Sequence, residues 1–221
     1  MKLIIGNKAY SSWSLRGWLA CKQSGLHFDE VVVPLYDGDW DQRRDGAEFA
    51  PSSGKVPILW DGDAVVWDSL AIVEYLADKV GRDRFWPADD AARAMARSMA
   101  AEMHSSFVAL RRKHAMNIRQ QFPAERPDED VLADLSRIME LWAQARARFG
   151  GQGDYLFGAF GAADIMYAPV VTRIATYQLP VARFAVAYCD AILRHPWMQD
   201  WIASAQEEDW VIEQFEQPVA R

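Results

Sequence analysis

The chain has 221 residues, 51% hydrophobic, 12% aromatic and 25% charged, with a formal net charge of −7 and a pI near 5.1. That length fits one large or two compact domains, and the composition excludes intrinsic disorder. The acidic balance excludes a nucleic-acid footprint, which needs a basic face to displace counterions from phosphates.

Residues 1–6 end in glycine and read as a strand rather than a secretory segment, and no run of about 18 apolar residues points to a membrane span. A soluble, cytoplasmic protein is expected. Cys21 and Cys189 stand far apart, without C-x-x-C or paired Cys/His spacing, so no disulfide scaffold, dithiol centre or metal site is expected. Within 11–21, Leu15, Trp18 and Leu19 have helical spacing. Residues 28–35 are valine-rich and close at Pro34, which predicts a second strand, parallel to the first if the helix is a crossover. Residues 37–53 predict a poorly periodic helix and a turn. The apolar runs 55–60 and 64–67 flank Asp61-Gly62-Asp63, a hairpin signal. Asp68-Ser69 then precede Leu70, Val73, Leu76 and Val80 at helical spacing, with Gly81 as the stop. Residues 1–80 therefore read βαβ-ββα.

Residues 81–90, with Trp86-Pro87, predict a linker, and beyond it the periodicity changes to helical. Met95, Met99, Met103, Phe107, Leu110 and His114 predict one long helix, and Leu132, Leu135, Met139, Trp142 and Phe149 a second. Pro123 and Pro127 separate them, and Gly150-Gly151-Gln152-Gly153 closes the second. Residues 162–177 are apolar nearly all round, the pattern of a helix at a bundle's centre, with Pro169 expected to kink it. Patterns at 181–194 and 196–205 complete an all-α domain, and the tail after Trp210 carries no assignment.

Three features leave backbone groups free for a ligand. Ser11 or Ser12 caps the first helix; Val56-Pro57, if cis, turns the Val56 amide and carbonyl away from the sheet; Asp68-Ser69 open a helix whose N-terminus suits an anion. Each alone has a plain structural reading, as a cap, an edge proline and a helix start.

Together they resemble the cytosolic glutathione transferases over nearly the whole chain. Lys55-Val56-Pro57-Ile58-Leu59 and the run from Asp68-Ser69-Leu70 to Glu74-Tyr75-Leu76 are similar to the thioredoxin-like glutathione-binding domain of that family. Tyr10-Ser11-Ser12-Trp13-Ser14-Leu15-Arg16 resembles the serine motif of the zeta class and its bacterial relatives, with Trp13 where many zeta-type sequences have cysteine. Phe160-Gly161-Ala162-Ala163-Asp164 resembles the capping box of the family's helical domain, with Gly161 where serine or threonine is usual.

The resemblance implies a thioredoxin-like domain (βαβ-ββα) at 1–80 and an all-α helical bundle at 91–221, glutathione as co-substrate, a small electrophile as second partner, and a homodimer. By that match Ser11 is the catalytic candidate, with Ser12 in its place if the loop register differs by one. Lys55 is assigned to the glycyl carboxylate, Val56 beside Pro57 to the cysteinyl backbone, and Asp68 and Ser69 to the γ-glutamyl end. Phe107, Arg111 and Asn117 are the implied electrophile pocket. Arg16 either orders the helix start or lies on its exposed face.

The chemical task is to make a thiolate. A thiol of pKa near 8.5 is only about 3% ionised at pH 7, and lowering its pKa by ~2 units takes about 2.7 kcal/mol. A helix N-terminus supplies ~0.3–1 kcal/mol. A hydroxyl donating to the sulfur adds ~1.5–3 kcal/mol, so the two together reach the required size. Isomerisation of a maleyl-type diacid is the enzymatic alternative, with Arg16 and Arg111 as cationic candidates. A binding or scaffold protein of the same fold is the alternative of another class.

Overall fold

The computed structural model describes residues 1–151 and 153–216; Gln152 of the expected glycine loop and residues 217–221 of the expected helical domain lie outside the described residues. Strand β1 (Lys2–Gly6) pairs in parallel with β2 (Asp29–Val33), from Lys2↔Asp29 to Gly6↔Val33. Helix α1 (Ser12–Ser24) is the crossover between them. The hairpin β3 (Ile58–Asp61) and β4 (Ala64–Trp67) adds antiparallel to the other side of β1, giving the order β2-β1-β3-β4. Alternation sorts the central strand: Leu3 and Ile5 enter the main core, whereas Ile4 joins Ile58, Trp40 and Phe49 on the opposite face. Of the helix expected within 37–53 only α2 (Trp40–Arg44) forms, because Trp40 is its single buried side chain and a five-residue segment has little else to fasten it.

Strand β3 starts at Ile58, later than the sequence pattern suggests. The Val56–Pro57 peptide bond ahead of it is cis, and the Pro57 ring is buried against α1. Gly17 makes that approach feasible, since a Cβ there would lie 2.7 Å from Pro57 Cγ. Helix α3 (Ser69–Val80) begins at the N-cap Asp68 and stops at Gly81, as the spacing predicts.

The segment 81–90 is less of a free linker than its polarity suggests. It turns through a 3-10 segment (Arg82–Arg84) and then buries Phe85 and Trp86 in the same core that holds Leu3 and Leu15. The long helix expected from Met95 to His114 divides into α4 (Asp90–Ser105) and α5 (Val108–Lys113). Phe107 adopts the left-handed region, φ 57°. Other groups take over the broken turn: Arg111 Nη1 donates to the His104 and Ser106 carbonyls at 3.3 and 3.2 Å, and Asp134 accepts from the Leu110 amide at 2.9 Å. Helices α6 (Glu129–Phe149), α7 (Ala162–Tyr177), α8 (Arg183–Arg194) and α9 (Pro196–Gln206) complete the bundle.

Helix α7 is buried along almost its whole length and runs through Pro169 unbroken. At its start, Asp164 accepts from the Leu156 amide at 3.1 Å and the Gly161 amide at 3.0 Å, while the Ala162 amide donates to Phe85 O at 2.8 Å. A Cβ at Gly161 would lie 2.7 Å from that same Phe85 oxygen, which explains the departure from serine or threonine. Against β1, the Lys8 ammonium pairs with Glu30 at 2.6 Å and lies over the rings of Trp18 and Trp201. No helix among the described residues is long and apolar enough to cross a membrane.

Candidate active site

Two cavities meet at the start of α1. The larger, a cleft of about 710 Å³, brings together Ser11, Ser12, Lys55, Val56, Pro57, Asp68 and Ser69 from the three sequence-separated motifs. The smaller, about 440 Å³, is lined by Ser12, Trp13, Val108, Arg111, Arg112, Met116 and Arg173 among others. Ser12, Trp13, Tyr10 and Phe215 border both.

The two serines differ in what their hydroxyls already do. Ser11 is the N-cap: its Oγ accepts from the Ser14 amide at 3.3 Å and donates to Ser14 Oγ at 2.8 Å, and Ser14 Oγ accepts from the Gly6 amide. Ser11 thus ties the helix start to β1. Ser12 Oγ accepts from Arg173 Nη2 at 3.3 Å, and its own proton goes to no acceptor among the described residues.

On the opposite wall, Val56 lies ahead of the paired residues of β3, and the exposed Lys55 ammonium has no ion-pair partner among the described residues. Asp68 sits at φ 76° and ψ 133°, a backbone state that costs L-residues about 1–3 kcal/mol unless its surroundings hold it. Its Oδ1 accepts from the Leu70 amide at 2.8 Å, and its Oδ2 meets His104 Nε2 at 2.6 Å. The fully buried Ser69 Oγ has no hydrogen-bond partner. Next to a helix N-terminus, that unmet hydroxyl fits an incoming carboxylate or amide.

Arg111 lines the smaller cavity, as the sequence reading expects. Phe107 and Asn117 line neither cavity. Phe107 faces the core because the helix break at 106–107 turns it inward. Asn117 is fully buried and donates to Phe215 O at 2.9 Å and Glu216 Oε1 at 3.1 Å. Arg16 is buried rather than exposed: its Nε donates to Met166 O at 2.9 Å, and its Nη1 and Nη2 have no partner.

Sequence reading missed several site residues. Arg173 is fixed by the His114 and Pro169 carbonyls, with Nε and Nη1 donating at 2.8 and 2.9 Å. The clue to it was a lone cation on an otherwise apolar helix. Arg16 and Arg111 lie 4.7 and 4.8 Å from the centroid of the Trp13 ring. No carboxylate forms an ion pair with Arg16, Arg111 or Arg173 among the described residues. Burial lowers the Arg173 pKa to about 10, helped by repulsion from Arg111, and it also lowers Arg16 well below the usual guanidinium range, with Arg173 and Arg111 adding to the effect. His104, edge-on to Trp13, and Ile212 and Phe215 from the tail were also unanticipated.

The thiols play no part in this site. Burial pushes both Cys21 and Cys189 up to about 12.

Residues 10–79 match the glutathione S-transferase N-terminal domain, and residues 125–204 match the glutathione S-transferase C-terminal domain. Glutathione S-transferase GstB of Escherichia coli (strain K12) is 30% identical over 174 residues, 73% of this chain and 81% of that protein. The zeta-class glutathione S-transferase of Euphorbia esula is 33% identical over 193 residues, 84% of this chain and 79% of that protein. Maleylacetoacetate isomerase of Methylobacterium extorquens AM1, solved with bound malonate and GSH, has the same fold, with a TM-score of 0.63 at 23% identity over 93% of this chain and 96% of that one. The sheet, the bundle and the cleft between them carry the family's two domains in order, and a relative matched over most of its length agrees: this chain belongs to the glutathione S-transferase family.

Proposed function

We propose that this glutathione transferase binds glutathione along the larger cleft, in the 1–80 domain, and that Ser12 rather than Ser11 holds its sulfur as thiolate. The observation that carries this reading is the Ser12 hydroxyl, which borders both cavities, accepts from the Arg173 guanidinium and keeps its proton free. Accepting from a cation polarises the hydroxyl and strengthens it as a donor. Its hydrogen bond to an anionic sulfur supplies ~1.5–3 kcal/mol, and the amides of α1 supply ~0.3–1 more. That sum covers the ~2.7 kcal/mol needed to bring a thiol pKa from 8.5 to about 6.5.

The rest of the tripeptide follows the family resemblance: Val56 backbone groups on the cysteinyl unit, Asp68 and Ser69 at the γ-glutamyl end, Lys55 on the glycyl carboxylate. The unmet Ser69 hydroxyl supports this placement. The thiol proton goes to solvent. The sulfur pair then forms a bond to an electrophilic carbon in the smaller cavity, and either a leaving group departs with its bonding pair or the enoate electrons move to oxygen. A cytoplasmic homodimer, with the helical domain from residue 91 holding the electrophile, completes the reading. A monomer by sedimentation at micromolar concentration would contradict the dimer.

The test is the thiolate absorbance of bound glutathione against pH. Ser12→Ala is expected to raise the thiol pKa by about 1–2 units, whereas Ser11→Ala leaves it near the wild-type value. The reverse result reinstates Ser11.

A second reading, isomerisation of a maleyl-type diacid, is favoured by four arginines, Arg16, Arg111, Arg112 and Arg173, that face the smaller cavity or its Trp13 wall without carboxylate partners among the described residues. In that reaction the thiolate adds to the double bond, the resulting single bond rotates, and the sulfur leaves again. Turnover of such a diacid with glutathione undiminished decides for it.

A further inference from the structure

The last described residues cross the molecule to reach the active site. After α9 the chain runs back over the entrance to α1, and Glu208 accepts from the Lys8 and Ala9 amides at 2.6 and 3.0 Å. Arg119 holds the crossing segment by donating to Glu208 O at 2.6 Å and Trp210 O at 2.9 Å. A 3-10 turn (Glu213–Phe215) follows. There Asn117 donates to Phe215 O, and the Glu216 carboxylate accepts from Tyr10, Asn117 and Gln120. These contacts present one side chain, the half-buried Phe215, to both cavities, with its ring centroid 5.9 Å from that of Tyr10. The segment lies beyond the span matched to the family's C-terminal domain, which ends at residue 204.

We propose that Phe215 is a specificity-determining residue for the second substrate, the shared wall where electrophile meets sulfur, and that Glu216, Asn117 and Gln120 are positioning residues that hold this wall in place. The inference rests on the assignment of the two cavities to glutathione and electrophile. An aromatic ring at their junction limits the width of an acceptor that still reaches the sulfur. A wall carried on a short 3-10 turn is held by these hydrogen bonds together with the packing of Ile212 and Phe215 against Ala9 and Tyr10. Neutralising Glu216 removes an ionised acceptor shared by three donors and loosens the hold on the ring. The acceptors favoured are therefore slim, and a loosened segment admits broader ones.

The experiment compares kcat/KM for a series of enoates of increasing width at the β-carbon in wild type, Phe215→Ala and Glu216→Gln, with glutathione uptake by calorimetry and the thiolate titration run on each. Phe215→Ala is expected to raise the ratio of broad to slim acceptors about tenfold, with the thiol pKa unchanged. Glu216→Gln is expected to shift the ratio in the same direction and to act through KM, while Phe215→Leu restores part of the selectivity. An unchanged ratio in Phe215→Ala, with glutathione bound and its thiol pKa intact, overturns the inference and leaves the proposed function standing. A wild type that takes up no glutathione overturns both.

Discussion

Arg173 carries a charge into the interior on a helix buried along almost its whole length, and it does so without a counter-ion among the described residues. A pKa of about 10 keeps it protonated at neutral pH, and the cost of burying it is offset by its hydrogen bonds to the His114 and Pro169 carbonyls and to Ser12 Oγ. Arg111 faces the same cavity from a half-buried position and also donates to the His104 and Ser106 carbonyls at the helix break, so the comparison between acceptor types, not the absolute rate, reads its role. Arg111→Gln is expected to raise KM at least tenfold for carboxylate-bearing acceptors while leaving neutral ones near wild type, the size of a lost charged hydrogen bond of ~1.5–3 kcal/mol. Equal effects on both acceptor types would argue against an anion at this wall. At Ser11, replacement by alanine is expected to cost about 1 kcal/mol of stability, measured by urea unfolding, through the lost cap.

At the scale of elements, the start of α7 concentrates three constraints in one turn. Gly161 has no room for a Cβ beside Phe85 O, so Gly161→Ala is expected to destabilise by ~1–3 kcal/mol and to lower Tm by several degrees. Burial pushes the Asp164 carboxyl up to about 6, against the pull of the Leu156 and Gly161 amides. An unfolded aspartate titrates near 3.9, so between about pH 4 and 6 the folded chain holds more of this proton than the unfolded one. Stability from this group therefore falls as pH rises through that window and is level above it. The stability difference between wild type and Asp164→Asn is expected to shrink by about 2–3 kcal/mol over the same range.

Most elements were legible because their signals are local. The hairpin around Asp61-Gly62-Asp63, the Asp68 cap with its Gly81 stop, and the bounds of α7 depend on turn chemistry and periodicity alone. The break at Phe107 was not legible, since a left-handed phenylalanine with neither glycine nor proline nearby is held by Asp134 and Arg111 from elsewhere. The motif serines, Val56-Pro57 and Asp68-Ser69 marked where a site lies, but His104, Arg173 and the tail join it only through packing of distant segments.

Among the described residues the βαβ-ββα unit and the bundle share one core, to which Leu15, Phe85, Trp86, Met99 and Ile165 all belong. Arg16 bonds to Met166, and the Trp18 and Trp201 rings meet across the boundary at a 58° tilt with centroids 5.4 Å apart. Urea unfolding is therefore expected to give one transition, with coincident midpoints for circular dichroism and hydrodynamic radius. Two separated transitions would mean that the halves fold independently.

Trp13 has a use apart from catalysis. Its indole lies within 5 Å of two guanidiniums, at 4.7 and 4.8 Å, on the border between the two cavities. An anion that draws those cations away alters the field across the ring and with it the wavelength of emitted light. On the proposed assignment of the smaller cavity to the electrophile, the difference in emission between wild type and Trp13→Phe is expected to report its occupancy without a label.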